Sequence, residues 1–243
     1  MAVGLVVGTP VQARDPTGTT RPAPRLCVFI GGLSAPTESS YSQSSNATVF
    51  LEEQRFSAEH HVGDGIGFET GAQWNAYRHL GLAASLTATR RSSSATYSLS
   101  VPHPLYFDRA REAAGTTPTR EWEEVGSHLA IVVFGSVGRL ELSAFAGLSW
   151  TRVSRVFVTQ PAYGQEYPYD TITIDPVAES LVNADTSGWH VGAGLGVRLK
   201  RPFELAARIR YAPAMARPTS PDGTSVEMSV GGLQLSAGVG LRF

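Results

Sequence analysis

The chain has 243 residues and a mass of 25.9 kDa, and its 20 Lys and Arg against 21 Asp and Glu leave a formal net charge of -1. A near-neutral chain without a run of like charge lacks the basic surface that nucleic-acid binding requires. No stretch of 18 apolar residues occurs, which excludes a spanning helix but leaves spanning strands open, since those alternate apolar and polar side chains.

The first residues predict export. Residues 1–13 form a short apolar stretch closed by Val-Gln-Ala, which predicts the end of a truncated secretory signal peptide. A flexible leader is the alternative, because no basic segment precedes the apolar one. Residues 14–24, rich in Pro, Thr and Arg, predict a linker, so that a single domain covers residues 25–243. The single cysteine, Cys27, excludes an intramolecular disulfide and a thiolate zinc site.

Alternation with a period of two residues dominates the chain after residue 24 and predicts about eight strands. Six of them carry an apolar face opposite a polar or small one: 65–75, 80–88, 140–150, 187–199, 203–211 and 232–243. A seventh, 127–134, is apolar on both faces apart from His128. In the eighth, 25–33, the direction of Cys27 and Phe29 stays open.

The connections between these strands alternate strictly in length. Tight turns at 75–79, 135–139 and 200–202 separate long polar loops at 34–61, 89–121, 153–186 and 212–225. In an up-and-down arrangement all long loops therefore lie at one end, and the tight turns and both termini lie at the other. This asymmetry is typical of membrane barrels and predicts an all-β fold, a single antiparallel transmembrane β-barrel of about eight strands.

The two faces differ in charge as a membrane barrel requires. The outward positions of the last three strands hold no charged residue, and an Arg exposed at the membrane midplane would cost about 2–4 kcal/mol. We predict a structural charge network in the lumen, formed by Glu69, Glu141, Arg198, Glu204, Arg208, Arg210 and Arg242. Because eight strands enclose a space that side chains fill, we predict a packed lumen, with a small pore as the alternative.

Aromatic residues near the ends of the strands predict two interfacial girdles. Trp74, Tyr77 and Phe203 lie near tight turns, and Trp150, Trp189 and Tyr211 lie near long loops.

The last strand has the pattern of an outer-membrane assembly signal, with Leu235, Val239 and Leu241 leading to the terminal Phe243. With the stretches at 101–107, 167–171 and 231–243, the sequence resembles outer-membrane β-barrel proteins of the OmpA/OmpX-like superfamily. The resemblance implies an eight-stranded barrel inserted by the barrel-assembly machinery. We expect a monomer in contact with outer-membrane lipids and lipopolysaccharide, with its long loops extracellular, its termini periplasmic and a structural or surface-interaction role. The resemblance implies no enzymatic activity.

Two other classes stay open. A soluble lipocalin-like barrel would turn Leu195, Leu235 and Val239 inward and Glu204 and Arg208 outward. A lipid-modifying outer-membrane enzyme needs a serine beside a histidine, but adjacent Ser127 and His128 point to opposite faces of a strand. The pair His60 and His61, near Glu59 and Asp64, is too sparse to predict a metal site. We therefore predict no catalytic residue, no cofactor and no metal.

Overall fold

The computed structural model describes residues 25–158, 162–174, 179–219 and 226–243. The predicted signal peptide and linker lie outside the described residues. The described ranges contain no helix that could span a membrane.

Twelve strands are present in the described part of the chain. They are β1 (Arg25–Ala35), β2 (Ser39–Val49), β3 (Glu52–Tyr77), β4 (Leu80–Pro102), β5 (Ala110–Thr116), β6 (Arg120–Val137), β7 (Leu140–Val158), β8 (Tyr163–Gln165), β9 (Ile172–Ile174), β10 (Glu179–Arg198), β11 (Phe203–Ala216) and β12 (Met228–Arg242).

Eight of these strands form a closed ring in the order β1-β3-β4-β6-β7-β10-β11-β12, and every neighbouring pair is antiparallel. The ring closes because β1 pairs with β3 on one edge and with β12 on the other, with Cys27 opposite Arg242. The predicted all-β, up-and-down barrel of eight strands is thereby confirmed. Strand β2 pairs only with β3 and strand β5 only with β4, so both lie outside the ring, and β8 and β9 form a separate hairpin.

The prediction that the long connections are loops was wrong for most of their length. Strand β3 continues to Glu52 and β4 to Pro102, while β2 and β5 occupy much of the rest of the first two predicted loops. Strands β7, β10 and β11 are longer than predicted as well. Backbone pairing persists beyond the ring's apolar outer surface, but there the outer face meets water, so the apolar alternation that identified strands disappears.

The barrel has two different ends. Three short turns, β3–β4, β6–β7 and β10–β11, lie at one end together with the start of β1 and the terminal Phe243, and we call it the turn end. At the other, the extended end, the strands continue past the ring as long hairpins.

An outward apolar belt surrounds the ring. It comprises Leu26, Val28, Ile30, Ile66, Phe68, Leu82, Leu86, Val125, Leu129, Ile131, Val133, Leu140, Leu142, Leu148, Val191, Leu195, Leu205, Ile209, Leu235, Val239 and Leu241, all exposed. On β7 the belt spans eleven residues, or ten residue-to-residue steps, from Leu140 to Trp150. At about 3.3 Å per residue and a strand tilt of about 40°, this corresponds to about 25 Å, the height of the apolar band on membrane barrels.

The orientation of the faces excludes a lipocalin-like arrangement for the described strands. Leu195, Leu235 and Val239 are 41–42% exposed, whereas Glu204 is 6% exposed and the Arg208 side chain is 15% exposed. Cys27 and Phe29, whose direction the sequence left open, point inward and are buried.

Along the outer face, from the belt toward the extended end, the first charged side chains occur at the extended edge of the belt. Arg90 on β4 pairs with Glu123 on β6 at 3.1 Å, and Arg152 on β7 pairs with Asp185 on β10 at 2.7 Å. All four side chains are exposed, so they mark the level at which the apolar belt gives way to a polar surface.

Candidate functional site

The lumen near the turn end contains a network of two carboxylates and two guanidinium groups. Glu141 accepts hydrogen bonds from Arg198 at 2.9 Å and from Arg242 at 2.8 Å. Arg242 also pairs with Glu204 at 2.6 Å. Both carboxylates are buried. Each pairs with at least one guanidinium group, and this pairing offsets the cost of removing the carboxylate from water.

A second group surrounds Glu69, halfway along the lumen. Its carboxylate pairs with Arg210, lies 3.6 Å from Arg208 and accepts a hydrogen bond from the Ser236 hydroxyl at 2.5 Å. Arg208 also lies over the Phe29 ring, with its guanidinium carbon 4.4 Å from the ring centroid. The structure thus brings all seven residues of the predicted charge network onto the inner face and into two ion-paired groups.

Toward the extended end, a serine lies between two histidines inside the barrel. The Ser149 hydroxyl forms hydrogen bonds of 2.9 Å with Nδ1 of His128 and with Nδ1 of His190. Nε2 of His128 lies 3.2 Å from the Thr87 hydroxyl. All four side chains are buried. The array sets a hydroxyl beside two imidazoles, as in a nucleophile with its base, but the Ser149 hydroxyl and both ring nitrogens of His128 are engaged by neighbouring side chains.

Above the belt the interior is closed by a cationic and aromatic stack. The Arg155 guanidinium lies 4.1 Å from the Trp122 ring centroid and 5.1 Å from that of Tyr41, which in turn stacks on His60 at 4.4 Å. Burial, assisted by the charge of Arg155, lowers the pKa of His60 from 6.5 to about 4. His60 is therefore neutral at physiological pH.

The lumen leaves little space. A cavity of about 20 Å³ beside Cys27, Phe29 and Arg208 is about the size of one water molecule. Among the described residues no group of three or more His, Cys, Asp or Glu side chains is arranged to hold a metal ion.

The extended end has a small core of its own. Phe56 on β3, with Leu99 and Val101 on β4, is almost fully buried, and the β8–β9 hairpin packs against this cluster. Arg111 on β5 binds the β8–β9 hairpin through hydrogen bonds. Its guanidinium donates to the Gln165 side chain at 2.9 Å and to the Tyr169 carbonyl at 3.1 Å. The hairpins at this end therefore form a packed projection.

The farthest part of this projection is apolar and exposed. We call it the tip cluster: Phe50, Leu51, Leu105, Tyr106, Phe107 and Tyr167, which are 41–86% exposed. Two contacts hold its segments together: the Asp108 amide donates to Glu52 at 2.7 Å, and Arg109 donates to Asp170 at 3.0 Å.

The predicted girdle and assembly residues all lie on the outer face. Trp74, Tyr77 and Phe203 are exposed toward the turn end, and Trp150, Trp189 and Tyr211 are exposed toward the extended end. The rings of Trp189 and Tyr211 meet edge to face at 5.9 Å. Leu235, Val239 and Leu241 point outward along β12, and Phe243, which follows the strand, is exposed as well. Their role in assembly stays a prediction.

Sequence reasoning missed Ser149, although the sequence contains a signal for its contact with His128, one of its two histidine partners. The tight β6–β7 turn sets Val137 opposite Leu140, and counting back along both strands places His128 opposite Ser149. His190 is on β10, which follows a long connection of uncertain register, so its approach to Ser149 was not derivable. The stack of Tyr41, Trp122 and Arg155 was missed because these residues fell in, or next to, predicted loops.

No family model matches the chain, and no curated protein matches it in sequence. Among solved structures, the outer membrane protein OprG from Pseudomonas aeruginosa superposes with a TM-score of 0.54 at 12% identity, over 90% of this chain and 95% of that chain. Ail, the attachment invasion locus protein of Yersinia pestis, solved with the heparin analogue sucrose octasulfate, gives a TM-score of 0.38 at 11% identity, over 90% of this chain and 99% of that chain. The likeness to OprG is one of fold: this chain has the architecture of a small outer-membrane β-barrel, as its resemblance predicted.

Proposed function

We propose that this protein is a monomeric barrel of the bacterial outer membrane that acts by presenting its extended end outside the cell. The observation that carries the proposal is the separation of a filled, ion-paired lumen from a packed projection. Ion pairs and stacked rings occupy the lumen of the described strands, whereas the projection offers surface.

The apolar belt supports residence in a membrane. In lipid every backbone amide needs an internal partner, and the closed ring provides one along each strand. The belt is free of charge up to the pairs at its extended edge, and its height of about 25 Å matches a hydrocarbon core.

The charges at the two ends support an orientation with the turn end in the periplasm. Four exposed cations, Arg78, Arg139, Lys200 and Arg201, occupy the three tight turns, where they would meet the phosphate groups of the inner leaflet. At the other edge of the belt, Arg90 and Arg152, each paired with a carboxylate, would lie at the level of lipopolysaccharide phosphates. We propose these lipids as the barrel's direct partners, and the assembly machinery as a partner during insertion through β12.

A lipid-modifying enzyme is the alternative that one observation favours, namely the array of Ser149 with His128 and His190. Such an enzyme must expose its nucleophile to a lipid. Ser149 is 3% exposed and points into the lumen, which argues against the alternative and for a non-enzymatic role.

Labelling of single cysteines in whole cells tests the proposal. In a Cys27→Ser background, Glu112→Cys on β5 and Val137→Cys at the β6–β7 turn place a thiol at an exposed site at each end. We expect a membrane-impermeant maleimide to label Glu112→Cys in intact Gram-negative cells and Val137→Cys only after permeabilisation. The opposite result would reverse the orientation, and recovery of the protein in the soluble periplasmic fraction would refute membrane residence.

A further inference from the structure

The tip cluster is unusual in its backbone as well as in its exposure. Phe50 and Leu51, with φ of 52° and 70°, form a two-residue turn between Val49 and Glu52. Both residues of such a turn adopt the left-handed conformation, which favours Asn-Gly and penalises bulky side chains. The chain therefore holds two large apolar residues where the backbone would be more stable without them.

The same feature recurs beside the other segments of the cluster. Four non-glycine residues in the described ranges have positive φ, namely Phe50, Leu51, Asp108 and Tyr169, and all four lie at this end of the molecule. Backbone strain that gathers in one exposed region is a mark of functional sites.

We propose that the tip cluster docks onto a zwitterionic lipid surface that faces the cell, such as a phosphatidylcholine bilayer. The inference deepens the proposed surface role and rests on the proposed orientation. From Ile66 at the belt to Glu52 at the tip, β3 advances by 14 residue-to-residue steps, or about 45 Å along the strand. The tip cluster is therefore far removed from the protein's own membrane.

The shape of the cluster favours a bilayer over a protein as its occupant. Leu51 is 86%, Phe107 is 72% and Tyr167 is 81% exposed, so these side chains stand away from the surface as separate projections. A fluid bilayer surrounds such projections without a matching pocket for each one, and Tyr and Phe are favoured at its interface.

The charges around the tip cluster determine which kind of lipid surface the cluster can approach. The segments 50–55, 105–112 and 163–174 carry six carboxylates, Glu52, Glu53, Asp108, Glu112, Glu166 and Asp170, against the three arginines Arg55, Arg109 and Arg111. The acidic excess repels an anionic bilayer, and it also repels a second copy of the same tip. A neutral, zwitterionic surface accepts the apolar groups without this penalty.

Co-flotation of the protein with vesicles tests the proposal. The protein is embedded in nanodiscs and mixed with phosphatidylcholine vesicles, with or without phosphatidylglycerol, and empty nanodiscs serve as the blank. Both faces of a nanodisc are open to solution, so the result does not depend on orientation in the cell, which the labelling experiment tests separately. We expect wild-type nanodiscs to float with phosphatidylcholine vesicles, and phosphatidylglycerol to reduce the bound fraction at low salt.

The decisive variant is Phe50→Asn/Leu51→Gly, since Asn-Gly preserves the turn while removing both apolar side chains. We expect binding to fall at least about tenfold in this variant, and in Tyr106→Ser/Phe107→Ser, with folding checked by heat-modifiable gel mobility. Met215→Ser, at an exposed apolar site on β11, is the matched control and should bind like wild type. Equal binding by the tip variants, preference for anionic vesicles, or no flotation of wild type would each overturn the proposal, the last in favour of a protein occupant.

Discussion

Glu69 is a buried carboxylate shared by two guanidinium groups, Arg208 and Arg210, on β11. Removing one member of a buried ionic group leaves the others uncompensated in a medium of low dielectric. We expect Glu69→Ala to lower the free energy of unfolding by about 3–5 kcal/mol, measured by urea unfolding in detergent micelles.

Glu53→Ala is the matched control for that experiment. Glu53 also meets an arginine, Arg55, at 2.7 Å, but both side chains are exposed. Exposed pairs contribute at most about 1 kcal/mol, so this variant should unfold nearly like wild type. Similar losses in the two variants would show that the lumen network does not stabilise the barrel.

Protonation of His60 makes the stability of the extended end depend on pH. Its pKa in the folded state, about 4, is below the ordinary 6.5, so the unfolded state binds the proton more readily. The stability contributed by neutral His60 is full above pH 6.5 and is lost as the pH falls from 6.5 toward 4. NMR titration should locate the His60 pKa near 4, and amide exchange in β2, corrected for its intrinsic rate, should accelerate across this range.

His60→Phe provides the control, because phenylalanine keeps an aromatic ring against Tyr41 but does not titrate. The extra acceleration of exchange in β2 should disappear in this variant. Titration of wild-type His60 near pH 6.5 would contradict the buried environment between Tyr41 and Arg155.

At the level of the strands, Gly147 permits β6 and β7 to approach closely. A Cβ at this position would lie 1.9 Å from the Leu129 carbonyl oxygen and 2.7 Å from Cα of Ala130, both backbone atoms. The two strands must separate locally to admit even a methyl group. We expect Gly147→Ala to reduce stability by about 1–3 kcal/mol, measured as a lower temperature of the heat-modifiable mobility shift.

Gly135 lies on the same β6–β7 hairpin, and a Cβ there would meet no atom within 4 Å. Gly135→Ala should therefore leave the transition temperature unchanged. If both alanine variants behave alike, close approach of the two strands is not what selects glycine at position 147.

The strands also show which parts of the fold could be predicted. Leu195, Val197 and their alternating neighbours on β10 reveal a strand because one face meets lipid and the other meets the lumen. His60, Ser93 and Ser94 lie on equally regular strands, but no lipid selects apolar residues on the outer face there. Hydropathy therefore reports the solvent around a strand rather than its backbone pairing, and for this reason the sequence predicts loops where the extended hairpins lie.

For the whole molecule, ring closure determines which inward groups meet. The sequence places Glu69 and Arg210 on the same inner face, but they lie 141 positions apart and make contact across the lumen. Each tight turn fixes the register between the two strands that it joins, but it does not relate strands on opposite sides of the barrel. Partners across the barrel depend on its diameter and shear, which no local pattern contains.

A filled lumen predicts how the whole barrel responds to ions. Phe29 and Arg208 stack beside the one-water cavity in the lumen, and Glu69 pairs with Arg208 and Arg210 across the path. Wild-type protein in a planar lipid bilayer should therefore show no steady conductance, whereas Phe29→Ala/Arg208→Ala should admit water and ions. Val28→Ala/Ile30→Ala truncates two outward residues of the same strand and should stay silent. Conductance by wild type as large as that of the Phe29→Ala/Arg208→Ala variant would favour a small pore, because it would mean that the paired charges separate readily enough to open a path.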